Sequence, residues 1–117
     1  MDDWKNVGGP VVIDCPEFFF DLNEFQRGDD HMVFAHLTVH KWSLTVLKRI
    51  LQDFAVFRTH VTCPLYALGS QDDEKWAAFV ALLGFKFLTN VICENGEQRR
   101  LFMNFKDQPS AHQQNLH

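Results

Sequence analysis

Two histidines, His36 and His40, fall on the same side of an alternating segment and are the first candidates for acid–base chemistry. Imidazole titrates near neutral pH, so either could act as a general base beside an acyl acceptor. The plainer alternative is a pair of hydrogen-bonded or solvated histidines on a sheet. His31 belongs to the opposite side of the same segment, so three imidazoles do not converge on a metal. Just beyond His40, Lys41 and Ser43 flank a helix start. Ser43, the open N–H groups of residues 44–46 and Lys41 could together hold an anion. An ordinary N-cap beside a surface lysine explains the same pattern. Asp72, Asp73 and Glu74 read more simply as a helix start than as a metal site. Lys48, Arg49, Arg58, Arg99 and Arg100 read as solvated positions on a helix face and a strand edge. Cys15, Cys63 and Cys93 are odd in number and widely spaced, which points to buried thiols in a reducing compartment and gives no metal-ligand cluster.

These groups need elements to position them. Residues 1–10 are polar, end in Gly8-Gly9-Pro10 and read as a loop. Val11-Val12-Ile13 is a short strand. Phe18-Phe19-Phe20, Leu22 and Phe25 fit a short helix or a buried strand, and periodicity alone does not separate the two. Three consecutive phenylalanines cannot all face one side of a regular element. Phe18, Phe19 and Phe20 are therefore candidates for an interface with a partner or a second copy, against the alternative of a strand buried on both faces. His31 to His40 alternates as a strand, with Val33, Ala35, Leu37 and Val39 on one face. After Ser43 a helical stripe runs through Leu47, Ile50, Leu51, Phe54 and Phe57. Cys63 to Leu68 is a short strand, and a second helix carries Trp76, Phe79, Val80 and Leu83. Gly84 is placed to end that helix. Lys86 to Cys93 and Gln98 to Phe105 are strands joined by a two-residue Asn95-Gly96 turn.

The order implies an α/β fold with a mixed, partly parallel sheet flanked by helices and closed by a C-terminal antiparallel hairpin. One domain over 1–106 and a polar tail over 107–117 account for the 117 residues. Hydrophobic residues make up 46% of the chain, enough for a core of this size. There are 12 Phe and 1 Tyr, so phenolic hydroxyls are scarce. The balance of 11 basic and 15 acidic side chains gives a net charge of −4 and weighs against nucleic-acid binding. No apolar run is long enough to cross a membrane, and the start resembles no secretory signal.

From Val33 onward the order and spacing resemble the C-terminal half of the GNAT acyltransferase fold. Trp76-Ala77-Ala78-Phe79-Val80-Ala81-Leu82-Leu83-Gly84-Phe85 resembles that family's late helix, Ala-x-x-Phe-Tyr-x-x-x-Gly-Phe. Phe79, Gly84 and Phe85 match. Three features depart from the pattern. The family's Arg/Gln-x-x-Gly-x-Gly/Ala loop, which receives the pyrophosphate of coenzyme A, here reads Val39-His40-Lys41-Trp42-Ser43-Leu44, without glycine. The helical tyrosine that serves the family as general acid is Val80. The N-terminal part is also short for the two helices that build the acceptor groove.

The resemblance with these departures implies a non-catalytic GNAT-like protein that works by contact with a protein partner or with further copies of itself. Its size and layout are similar to small GNAT-like proteins of tailed bacteriophages. That similarity implies a virion-associated component, or an inhibitor of a host protein in the host cytoplasm, with no cofactor. The alternative it implies is an acetyl-CoA-dependent N-acyltransferase. There the backbone at Val39 would hold the thioester, Lys41 and Ser43 the pyrophosphate, and His36 or His40 would take the amine proton.

Overall fold

The Phe-rich segment after Pro16 is a strand. β3 (Phe18–Arg27) pairs antiparallel with β4 (Asp30–Val39) over its whole length, from Phe18 opposite Val39 to Arg27 opposite Asp30. Alternation then sorts the three phenylalanines. Phe18 and Phe20 enter the core at 1% and 4% exposure, whereas Phe19 points to the other face and is half-buried. This corrects the expectation that all three could serve an interface: Phe18 and Phe20 are spent on the core, and only Phe19 remains available. The computed structural model describes residues 3–105, so the tail expected over 107–117 lies outside the described residues.

Part of the N-terminal segment expected as a loop forms a strand, β1 (Lys5–Gly8), and the short strand expected from Val11 is β2 (Val11–Asp14). Both pair with β3, as two halves of an edge broken at Gly8-Gly9-Pro10. β1 is almost wholly exposed, so it carries no alternation for the sequence to reveal. It is tied down by backbone pairing and by Trp4, which has the Arg27 guanidinium 4.6 Å from its ring centroid.

After β4 the chain crosses over through α1 (Leu44–His60) to β5 (Leu65–Ser70), which lies parallel to β4. α2 (Glu74–Leu82) leads into the hairpin β6 (Lys86–Ile92) and β7 (Gln98–Asn104). The seven-stranded mixed sheet has the order β1-β3-β4-β5-β7-β6, with β2 also on β3. Ser43 caps α1 as expected, its Oγ accepting from Val46 N–H at 3.1 Å. Asp73 does the same for α2 through Trp76 N–H at 2.9 Å. Gly84 follows α2 at φ +95°, the left-handed position expected of it.

The hairpin loop is wider than the two-residue turn expected. Gly96 N–H donates to the Cys93 carbonyl and Cys93 N–H to the Glu97 carbonyl, both at 2.9 Å. Gly96 has φ +83°, while no residue other than glycine has positive φ among those described. A type I′ turn would need positive φ at Asn95 too, so the loop takes the longer form that needs one such residue.

Both helices cover one face of the sheet. Phe20, Phe54, Leu65, Ala67, Val80, Phe85 and Phe102 form one buried cluster, and Phe18, Val46 and Ile50 a second beside it. The apolar stripe of α1 is centred on Val46, Ile50 and Phe54, one residue round from the expected line through Leu47 and Leu51, and its next member is Arg58. Arg58 was expected on the surface but is 9% exposed. Its Nη1 donates to the Val61 carbonyl and its Nη2 to that of Cys63, each at 3.0 Å, and its Nε to Asn104 Oδ1 at 2.7 Å. A charge can be buried there because its donors meet acceptors: the Val61 and Cys63 carbonyls left open past the end of α1, and Asn104 of β7.

Candidate functional site

β4 and β5 are bridged only at Val33–Leu65 and Phe34–Tyr66. Beyond that point β4 stays with β3 and β5 stays with β7, so the sheet divides into two halves. The parting opens a cavity of about 180 Å³. Ala35, Leu37 and Val39 line it from β4, Ala67 and Leu68 from β5, and Phe79, Val80 and Leu83 from the α2 segment. The lining is largely apolar because the inward positions of both strands and of both helices meet there; His36 and Leu68, from the other face of the strands, also border it at the parting.

Trp42 and Phe79 separate this cavity from a second, more open groove of about 680 Å³ between the start of α1 and α2, and line both. Their rings stand at 90° with centroids 5.2 Å apart. Trp76 also borders both spaces. It lies directly over Gly69 in β5, where any Cβ would collide with the indole, and meets Phe102 edge-on at 5.3 Å. The outer groove has Leu47 and Leu82 on its walls, and its charged residues are Asp73 and Lys75.

The candidate histidines do not come together. His36 Nδ1 meets Asp21 Oδ1 at 2.9 Å on the face away from the helices. His40 lies past the end of β4, exposed, with its backbone N–H donating to the Glu17 carbonyl at 2.8 Å. His31 pairs with Glu24 at 2.6 Å. Hydrogen bonds from Gln26 first, then from His31, hold the Glu24 carboxyl below its ordinary value of 4.5. Asp21 was not singled out in the sequence. Once β3 is a strand, however, the hairpin that sets Arg27 opposite Asp30 also sets Asp21 opposite His36.

Val39 lines the cavity, whereas Lys41 and Ser43 are exposed and line neither it nor the outer groove. The Ser43 hydroxyl oxygen is already engaged by Val46 N–H and its carbonyl by Leu47 N–H. Three of the basic residues are matched to acids: Arg49 to Glu17 at 2.9 Å, Arg99 to Glu97 at 3.3 Å, and Arg100 to Glu74 at 3.1 Å. Cys63, expected among buried thiols, is exposed, while Cys15 and Cys93 are half-buried. Among the described residues no three His, Cys, Asp or Glu side chains converge as metal ligands, and no helix is long and apolar enough to cross a membrane.

Comparison with protein-family models, with curated proteins and with solved structures returns no match. What defines the chain is thus its own geometry: a mixed α/β sheet that parts at the parallel pair of β4 and β5, with a largely apolar cavity in the opening.

Proposed function

We propose that this chain is a GNAT-like scaffold that does not transfer acyl groups and acts by contact with a protein partner or with a further copy of itself. The phage setting implied by its size and layout belongs to the same proposal. The observation that carries it is the character of the outer groove. Coenzyme A brings several negative phosphates and needs a surplus of positive charge or bare backbone N–H groups to receive them. In this groove Lys75 is balanced by Asp73, and the indole of Trp42 stands where the family has a glycine loop. Trp42 and Leu82 are 60% and 62% exposed, an apolar surface of the kind that a partner's side chains cover. Val80, at the position of the family's acid, is 5% exposed inside the core and has no proton to give.

A second reading, an acetyl-CoA-dependent N-acyltransferase, is favoured by one observation. Asp21 fixes Nδ1 of His36 beside the parted strands, which leaves Nε2 to take an amine proton. In that reading Val39, Lys41 and Ser43 receive the donor, and proximity of the two substrates supplies most of the rate.

Thermal unfolding with millimolar acetyl-CoA separates the two. A ligand far above its dissociation constant must raise the melting temperature. No rise is expected. A rise that Lys41→Ala abolishes overturns the proposal in favour of the transferase.

A further inference from the structure

The face of the sheet away from both helices carries a groove of about 520 Å³ that neither reading uses. Trp4, Phe25 and Phe34 line it, with Leu68 beyond them and Cys93 and Glu94 from the β6–β7 loop. Phe25 and Phe34 meet at 74° with centroids 5.2 Å apart, so the two rings form walls close to a right angle. Trp4 supplies a third aromatic surface; one face of its indole already carries the Arg27 guanidinium, 4.6 Å from the ring centroid, and the face toward the groove is the one open to a ligand. Glu94 is exposed, and among the described residues no basic side chain pairs with it.

Three aromatic rings and a carboxylate around one largely apolar space, which the Asn6 and Asn95 side chains also border, have a defined chemical complement. Ring faces carry the negative end of the π quadrupole and attract a cation that has few hydrogen bonds to lose. A primary ammonium is strongly hydrated and would give up water that Phe25 and Phe34 cannot replace. A trimethylated nitrogen keeps the charge and has no N–H to satisfy. A cation with an adjacent anion, such as phosphocholine, would bring its phosphate against Glu94.

We infer that this groove binds an alkylated ammonium group without an adjacent anion, of the kind a methylated lysine side chain presents. The test is a titration of the full chain followed by ¹H–¹⁵N NMR. The ligands are the blocked amino acid N-acetyl-trimethyllysine methylamide, its neutral carbon isostere with a tert-butyl group, and phosphocholine. The trimethyllysine compound is expected to give saturable shifts at the Trp4 indole N–H and the Asn95 side-chain amide. The isostere is expected to bind about fivefold to tenfold more weakly, the share that cation–π attraction supplies. Phosphocholine is expected to bind more weakly as well. Glu94→Gln lies in an exposed loop and leaves the fold in place; it is expected to weaken the cation and not the isostere. Trp4→Ala is expected to weaken both. Absence of saturable shifts, equal binding of the isostere, or equal binding of phosphocholine would each overturn the assignment.

Discussion

Arg58 and Asn104 hold each other twice: Arg58 Nε donates to Asn104 Oδ1 at 2.7 Å, and Nη2 to the Asn104 carbonyl at 3.1 Å. Asn104 then donates from Nδ2 to the Leu83 carbonyl at 2.9 Å. One buried guanidinium thereby joins the end of α1, the last strand and the end of α2. Arg58→Met keeps much of the apolar stem but leaves these acceptors without donors. A loss of about 3 kcal/mol is expected by urea unfolding, from several unsatisfied buried groups. A loss under about 1 kcal/mol would show that water replaces the guanidinium.

The contact of Trp76 with Gly69 gives a second expectation. Gly69→Ala must push the indole off β5, at a cost of about 1–3 kcal/mol for overpacking. Because the clash is with that ring, Gly69→Ala added to Trp76→Leu should cost less than it does alone. A double-mutant cycle by thermal unfolding measures the coupling, and additive losses would place the strain elsewhere.

Consecutive phenylalanines should differ sharply. Phe18→Ala empties a site at 1% exposure and should cost about 3–5 kcal/mol. Phe19→Ala, half-buried on the uncovered face, should cost about 1 kcal/mol. Urea midpoints of the two variants test the strand assignment directly, since a helix over this segment would not alternate in this way.

The Glu24 carboxyl titrates below 4.5 because Gln26 and His31 bond to its charged form. A folded-state value below the unfolded one adds stability above the unfolded value, and that stability is lost as pH falls through the folded one. Glu24→Gln should therefore be less stable than the parent at neutral pH, with the gap closing on acidification below 4.5. Unfolding curves across this range check the sign, and a gap that widens toward acid would contradict it.

Much of this architecture was legible in the residues. Ser43, the first turn of α2, Gly84 and the alternation through Val33–Val39 each have a local cause, and each is where the pattern put it. What escaped depends on partners distant in sequence. β1 exists because β3 offers it an edge, and Arg58 is buried because Asn104 lies across from it. The candidate site was legible in its residues and not in its geometry. Lys41 and Ser43 could be named, but Trp42 as a wall against Phe79 and Asp21 as the partner of His36 required the register of strands and helices.

The most direct test follows the backbone N–H groups of Leu44 and Thr45 by NMR while coenzyme A is added. These amides open α1 and would have to meet the pyrophosphate in any GNAT-like cofactor complex. With Trp42 in place and no surplus of positive charge in the groove, they should not show saturable shifts at millimolar coenzyme A. Saturable shifts centred on Leu44 and Thr45, lost in Lys41→Ala, would contradict a non-catalytic scaffold and assign the cleft to an acyl donor.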